Sequence, residues 1–228
     1  MITDKEHKRH LKQFHKLSDR HILAVETDMP YSDVLKVAAL SDKIRKAGNE
    51  LIGIMRKNYN QLMRTKRYRK LLFLYGNTKD RDKRKIYAKQ LNEMQKAYNI
   101  TWEYCRTSMI TIGKKYGVDA VFALTKAEDI WRGIEKCLYG NGNVIHFSRY
   151  GELPCIRAKQ INRGIPISVT DNKLHFKLGS SEILDDRAVN TLIKDGCCID
   201  TYRPCYATLV PKIIRGKYRV YLHLTIEG

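Results

Sequence analysis

Residues 206–228 have the sequence YATLVPKIIRGKYRVYLHLTIEG, which carries the clearest structural pattern of the chain. After Gly216 apolar residues alternate strictly with other residues. This period of two predicts a half-buried β-strand, because successive side chains of a strand point to opposite faces. Gly216 can adopt the positive φ that a tight turn needs, so the stretch predicts a β-hairpin with its turn at residues 215–217. The predicted inward positions are Tyr218, Val220, Leu222, Leu224 and Ile226.

The other face of this hairpin combines cations with aromatic side chains. Between Arg203 and Arg219 the chain has five Lys or Arg residues and no Asp or Glu. Such a surface suits nucleic acid, because cations neutralise phosphates and aromatic rings can stack on bases. The predicted nucleic-acid-binding residues of the hairpin are Lys212, Arg215, Lys217, Arg219 and Tyr221.

The composition points to a polyanionic partner. The 228 residues include 43 Lys or Arg and 24 Asp or Glu, which gives a net charge of +19 and a pI near 9.7. Repulsion among these cations opposes compaction unless a polyanion or an acidic partner relieves it. We expect that partner to be nucleic acid. A merely basic protein, and an interaction module for an acidic protein, are the alternatives.

The N-terminus and the apolar runs of the chain predict a cytoplasmic, nucleoid-associated protein. Residues 1–10 are polar and charged, unlike a signal peptide, and no apolar run approaches the length of a bilayer span. The six cysteines include no CxxC pair, and we expect them to be reduced and mostly buried. We predict no cofactor in this chain, with a zinc site at Cys198, Cys205 and a histidine as the alternative.

Residues 31–139 predict a block of helices. Apolar residues recur at helical spacing from Val34 to Leu62, after a candidate N-cap at Ser32 or Asp33, and the pattern continues to residue 75. A second long helix is predicted at 79–112 and a short one at 120–124. The last is predicted at 126–138, with Thr125 as its N-cap.

Strands are predicted on both sides of this helical block. The segment 20–27 has a strand pattern without a local partner, so we expect it to pair with later strands at 144–147, 165–169, 174–178 and the hairpin. A short helix is predicted at 186–194. The fold class is therefore α+β, with a helical insertion in a β-domain. The predicted domains are 1–30, an N-terminal arm and first strand; 31–139, helical; and 140–228, the rest of the β-domain.

No catalytic constellation is recognisable. The chain lacks a Gly-rich phosphate loop, HExxH and GxSxG. The close carboxylate pairs are Glu26 with Asp28 and Asp185 with Asp186, and we interpret the second pair as a helix cap. Whether the chain is an enzyme is left open, and a metal-dependent nuclease remains an alternative.

Two further segments predict nucleic-acid binding. Residues 56–85 hold twelve Lys or Arg residues against Asp80 and Asp82, and their aromatic residues, Phe73 included, are interpreted as core. In the segment 144–163 we expect Phe147 to pack inward and its polar neighbours to face a ligand. The predicted residues of the first segment are Arg56, Lys57, Arg64, Lys66, Arg67, Arg69 and Lys70, and those of the second are His146, Arg149, Tyr150, Arg157, Lys159 and Arg163.

One segment resembles a known family. Residues 131–151, WRGIEKCLYGNGNVIHFSRYG, resemble the pattern "helix, then GxGxxxHFKR" in the N-terminal half of TnpB-family transposon-encoded RNA-guided nucleases and their type V CRISPR relatives. The segments NRGIPI at 162–167, LHFK at 174–177 and KYRVYLHLTI at 217–226 are also similar to that half.

The resemblance implies a β-barrel-like wedge domain interrupted by a helical recognition domain. It implies guide RNA and target DNA as partners, with the helical cations tracking the guide–target duplex. The catalytic RuvC-like activity and its Mg²⁺ would belong to a nuclease domain C-terminal to Gly228 or to a separate nuclease subunit. The alternative function is a stand-alone basic nucleic-acid-binding accessory protein of a mobile element. By the same resemblance, the residues that hold the RNA scaffold are Arg149, Lys159, Lys212, Arg215, Lys217 and Arg219.

Overall fold

The computed structural model describes residues 20–27, 29–140, 142, 144–158, 165, 167–170, 173–178, 181–185 and 203–227. The chain divides into two compact units. One comprises Met1–Ser41 with Leu153–Gly228 and contains the strands, and the other comprises Asp42–Glu152 and is helical. The predicted α+β class is confirmed.

The helices are α1 (Tyr31–Arg64), α2 (Lys66–Asn77), α3 (Arg81–Ala97), α4 (Trp102–Tyr116) and α5 (Ala120–Tyr139). The apolar stripe predicted on α1 is buried, as expected for a core-facing helix surface. The predicted cap is wrong, because α1 begins before it. The carbonyl of Pro30 accepts the first helical bonds, from the backbone N–H groups of Asp33 at 2.9 Å and Val34 at 3.1 Å.

The single long helix predicted at 79–112 is wrong, since α3 and α4 are separate. The chain turns at Asn99, whose φ is +56°, a left-handed conformation that Asn tolerates better than most residues. Thr101 then caps α4, because its hydroxyl oxygen accepts the backbone N–H of Tyr104 at 3.2 Å. Between them Ile100 is buried, which anchors the connection in the core.

The two helices predicted at 120–124 and 126–138 are one helix, α5. Asp119 is its N-cap and accepts the backbone N–H of Val121 at 2.8 Å. Thr125 is buried inside α5, and its hydroxyl donates to the carbonyl of Phe122 at 2.9 Å instead of capping. A Thr hydroxyl can bond the preceding turn of its own helix, so the cap-like sequence does not end α5.

The four-stranded antiparallel sheet has the order β1-β7-β6-β2. Its strands are β1 (Arg20–Glu26), β2 (Ile156–Ala158), β6 (Arg203–Ile214) and β7 (Lys217–Glu227). The register of β1 and β7 runs from Arg20↔Glu227 to Glu26↔Tyr221, which confirms that the first strand pairs with a late one. The predicted hairpin is also confirmed, with β6 beginning three residues earlier than expected.

A second antiparallel sheet has the order β3-β4-β5. Its strands are β3 (Ile167–Thr170), β4 (Lys173–Leu178) and β5 (Ser181–Asp185). The strand predicted at 144–147 is wrong, because that segment has no regular structure. The helix predicted at 186–194, with the Asp186 half of the carboxylate pair, lies outside the described residues.

The described strands form open sheets and not the expected barrel. In the four-stranded sheet β1 pairs only with β7 and β2 only with β6, so within the described part of the chain both remain edges. A barrel requires its edge strands to pair. On β7 the predicted inward residues Val220, Leu222 and Leu224 are buried. None of the helices that the structure describes has the length and apolar character needed to cross a membrane.

Candidate nucleic-acid interface

The end of α1 and the start of α2 form a strongly cationic surface, here called the basic helix surface. The helical unit as a whole contains 24 Lys or Arg and 11 Asp or Glu, so it carries most of the excess charge. The cations of this surface are exposed, and none forms an ion pair within the described residues. They are therefore available to neutralise phosphates. These residues are Lys57, Arg64, Lys66, Arg67, Arg69 and Lys70.

The orientation of α2 is set by a buried tyrosine. Tyr68 is fully buried, and its hydroxyl oxygen accepts the amide N–H of Gln95 from α3 at 3.0 Å. Gln95 in turn accepts the hydroxyl of Tyr139 at 2.8 Å. Burial raises the pKa of Tyr68, so its hydroxyl stays neutral at physiological pH. With this face fixed in the core, the four cations of α2 face solvent.

Phe73 lies on the exposed side of α2. It is 68% exposed, so its interpretation as a core residue is wrong. The signal was present in the sequence, because Phe73 follows Arg69 and Lys70 at helical spacing and so shares their face. Tyr75 instead lies under the guanidinium of Arg84, 4.7 Å from the ring centre.

The two carboxylates of the basic segment are engaged locally. Asp80 caps α3 and accepts the backbone N–H groups of Asp82 at 2.9 Å and Lys83 at 3.2 Å. These bonds lower the pKa of Asp80. Asp82 pairs with Lys85 at 3.2 Å. Neither carboxylate forms a described ion pair with a cation of the basic helix surface.

Residues 144–152, here called the strap, are fixed to α1. The side-chain amide of Asn49 donates to the carbonyl of Ser148 at 2.8 Å and accepts its backbone N–H at 2.9 Å. The strap then turns, because the backbone N–H of Arg149 donates to the carboxylate of Glu152 at 2.8 Å. These bonds hold an irregular segment in one conformation.

Two aromatic rings of the strap face arginines of α1. The guanidinium of Arg56 lies 4.9 Å from the ring centre of Phe147, and that of Arg45 lies 5.6 Å from the ring centre of Tyr150. Phe147 is 45% exposed, so the prediction that it packs inward is wrong. Tyr150 is 95% exposed. The sequence missed Arg45 because its ring partner is distant in the chain.

Arg45 is held in place by Asp42. It is only 6% exposed, and its guanidinium donates to the Asp42 carboxylate at 2.6 Å. Lys46 pairs with the other carboxylate oxygen at 2.8 Å. The bonds from Lys46 and then Arg45 lower the pKa of Asp42. The charge beneath Tyr150 is thus fixed by a carboxylate that stays ionised.

The other residues predicted in the segment 144–163 include some that are exposed on the strap and some that the structure does not describe. His146 and Arg149 are exposed on the strap. His146 also lines a cleft of about 270 Å³ between α1, α5 and the strap, whose polar lining includes Lys126, Lys136 and Asp129. Lys159 and Arg163 lie outside the described residues.

In the other unit, one face of the four-stranded sheet gathers four predicted residues. We call it the outer sheet face. Lys212 and Arg219 are directly opposite in the register of β6 and β7, and the amine of Lys212 lies 4.9 Å from the ring centre of Tyr221. The register also aligns Arg157, Thr208 and His223 across β2, β6 and β7. His223 was not among the predicted residues, although the alternation of β7 places it on this face.

Glu26 of β1 brings a negative charge to the outer sheet face. Its carboxylate accepts from the guanidinium of Arg219 at 2.6 Å and from the hydroxyl of Tyr221 at 3.4 Å. Arg219 is therefore partly neutralised within the protein. No sequence pattern indicates this pair, because the two residues are 193 positions apart.

The turn of the hairpin presents the last two predicted cations. Arg215 and Lys217 are exposed on either side of Gly216. Both Arg215 and Gly216 have positive φ, +50° and +77°, which defines the tight turn that suits the twist of a hairpin. The sequence predicted this conformation for Gly216 alone.

The cysteines do not form a recognisable metal site in the described part of the chain. No group of three metal-ligating side chains occurs there, and Cys198 of the alternative zinc site lies outside it. Cys105 is buried, and burial raises its pKa to about 12. Cys155 is exposed, against the expectation of mostly buried cysteines.

Comparison with protein-family models and with curated proteins finds no match. The cationic surfaces of the chain itself are therefore the features that indicate its function. Of the predicted residues, the structure brings one set together on the basic helix surface, a second on the strap and a third on the outer sheet face and its turn.

Proposed function

We propose that the chain binds nucleic acid through the basic helix surface. The observation that carries the proposal is the row of six exposed cations at the end of α1 and on α2, none of which pairs with a described carboxylate. Binding of a polyanion there releases condensed counterions and relieves the repulsion among the cations. The outer sheet face supplies a second, weaker contact, because Glu26 neutralises part of its charge.

The proposed role is to hold guide RNA and target DNA for an RNA-guided DNA endonuclease. It is supported by the resemblance of residues 131–151 and by the position of the helical unit in the sequence, after β1 and before the other strands of its sheet. In this role the four-stranded sheet is part of the wedge domain and α1–α5 form the recognition domain. Cleavage comes from a separate nuclease domain or protein, and the complex acts at the nucleoid.

The first test removes the charge of α2. We expect a variant with K66Q, R67Q, R69Q and K70Q to bind a DNA duplex more weakly, and the slope of log affinity against log salt to fall by about 0.9 for each lost phosphate contact. Fluorescence anisotropy at several salt concentrations measures both. The matched control removes four exposed cations elsewhere in the helical unit, K89Q, K96Q, K114Q and R132Q. Equal losses in both variants would show that only total charge matters and would reject this surface.

The same assay tests the outer sheet face through a variant that is expected to bind the DNA duplex more tightly. In Glu26→Gln the guanidinium of Arg219 loses its carboxylate partner and becomes available to a phosphate. We expect affinity to rise about two- to fivefold at low salt, with a slope steeper by up to about 0.9. Glu135→Gln, an exposed carboxylate on α5, makes the same change of net charge elsewhere. A similar gain in both would exclude a contact at this face.

The specific role is tested by the RNA that accompanies the chain. Purification with its native flanking locus, followed by RNA sequencing, should recover one discrete structured RNA encoded beside the gene. Heterogeneous nucleic acid that dissociates steeply with salt would contradict the RNA-guided role. That result would favour the accessory nucleic-acid-binding protein.

A further inference from the structure

The strap presents two aromatic rings to solvent in an unusual setting. Tyr150 is 95% exposed and Phe147 is 45% exposed, and the two rings are only three residues apart in the chain. Each ring has an arginine of α1 over it, and each keeps exposed surface beyond that contact. Neither ring is explained by the packing of the helical unit.

The backbone of the strap, which carries both rings, is fixed to α1 by hydrogen bonds of a different residue. The strap runs antiparallel to α1, with Phe147 at Arg56, Ser148 at Asn49 and Tyr150 at Arg45. The two hydrogen bonds between Asn49 and Ser148 fix the backbone between the rings. Little backbone conformational entropy is therefore lost when a ligand contacts the rings, and such preorganisation favours binding.

The surroundings of the rings are cationic. Arg149 is exposed between them, and Lys57 is exposed next to Arg56 on α1. The Cα atoms of Phe147 and Tyr150, three residues apart, are separated by at most about 10 Å, so one short polymer could contact both rings. A ligand with flat apolar faces and a negative backbone fits this arrangement. Single-stranded nucleic acid has both, whereas the bases of a duplex are already stacked and paired.

We propose that Phe147 and Tyr150 are a stacking site for unpaired nucleobases, and that the strap therefore recognises single-stranded nucleic acid. This inference rests on the proposed function, but neither ring belongs to the basic helix surface. The basic helix surface binds phosphates of either form. The two rings add affinity only when bases are free, and the stacking itself releases no further counterions.

The experiment compares a short oligothymidine with a duplex of the same length. In the double variant F147L/Y150L the bulk of the side chains remains but the rings are lost. We expect its affinity for the single strand to fall ~10-fold or more, since base stacking on one aromatic side chain is worth at least this order. Its affinity for the duplex should be unchanged. Because stacking involves no phosphate, the loss should be the same at every salt concentration.

Two controls isolate the rings. The variant F147Y/Y150F keeps both rings and should bind the single strand like the wild type. Tyr31→Leu removes another exposed aromatic ring, on α1, which has no arginine of the described residues over it, and should bind normally. Thermal unfolding of each variant checks that the fold is retained.

The outcomes separate the inference from the proposed function. If the wild-type chain binds neither oligonucleotide, the proposed function fails. If it binds both but F147L/Y150L keeps its affinity for the single strand, the stacking site is rejected and the proposed function stands. Equal losses for single strand and duplex would also reject it. A change of oligomeric state in F147L/Y150L, with unchanged oligonucleotide affinity, would assign the rings to a protein contact instead.

Discussion

The burial of Arg45 depends on the carboxylate of Asp42. Removing that carboxylate in Asp42→Asn leaves a guanidinium that is only 6% exposed without its charged acceptor. We expect the free energy of unfolding at neutral pH to fall by about 1–2 kcal/mol, a range reduced for the partial exposure of Asp42. Urea denaturation followed by helical circular dichroism measures the change.

The effect of Asp42 should depend on pH in a defined direction. Its pKa in the folded protein is lowered below the ordinary 3.8, so its stabilising contribution is fully present above that value. The contribution is lost as the pH falls through the folded-state pKa. The wild type and Asp42→Asn should therefore converge in stability below pH 3.8. Asp82→Asn, which breaks an exposed pair, is the control and should differ little from wild type at any pH.

For single residues, the surface position of charged side chains was easier to predict than the exposure of aromatic side chains. The sequence placed Lys66, Arg67 and their neighbours at the surface correctly, because a charged side chain seldom becomes buried without a partner. It assigned Phe73 and Phe147 to the interior by their apolar character alone. An aromatic residue can lie in the core or at the surface. The free-energy cost of exposing it depends on neighbours that are distant in the chain.

Among the elements, the β6–β7 hairpin makes the sharpest prediction. Gly216 has a φ of +77° and open space where a side chain would begin, so Gly216→Ala introduces backbone strain without a clash. We expect a loss of about 1 kcal/mol in the free energy of unfolding. Arg215 has a φ of +50°, and Arg215→Asn should increase stability by a few tenths of a kcal/mol, since Asn tolerates this conformation.

Urea denaturation of the hairpin variants provides the measurement. Arg215→Lys keeps the charge and the strain, and should match the wild type. If Gly216→Ala were neutral, or Arg215→Asn as harmful as Gly216→Ala, the tight turn with two positive φ angles would be contradicted.

The elements with a strong local sequence pattern were predictable, but the helix boundaries near candidate capping residues were not. The hairpin and α1 have strong periods of 2 and 3.6 residues, which few alternatives can satisfy. The division between α3 and α4 occurs where Asn99 adopts a left-handed conformation, and α5 continues through Thr125, whose hydroxyl donates to the carbonyl of Phe122. Asn99 and Thr125 are both compatible with helix and with cap, so the local sequence does not decide between the two.

For the whole molecule, the net charge of +19 predicts opposite effects of salt on the free and bound chain. Salt screens the repulsion among the cations, so the Tm of the free chain should rise as salt increases from low to physiological concentration. Salt should weaken the nucleic-acid complex over the same range. Thermal unfolding with and without a DNA duplex measures both trends.

The variant that lacks the four cations of α2 serves as the control for this prediction. Its free form should show a smaller rise of Tm with salt than the wild type. A Tm of the wild-type chain that falls with salt would mean that its ion pairs outweigh its repulsion, and the charge argument for a polyanionic partner would be lost.

The pairing of β1 with β7 has a consequence for the order of events during synthesis. Thr27 donates to the carbonyl of Val220, 193 residues later, from both its backbone N–H and its hydroxyl. At a typical elongation rate of about 5–20 residues per second, β1 leaves the ribosome roughly 10–40 s before its partner strand exists. The helical unit can fold within that interval, because its residues 42–152 are synthesised in between. Completion of the sheet is thus timed by translation, and a translational pause before the codons of β7 would prolong the exposure of an unpaired strand.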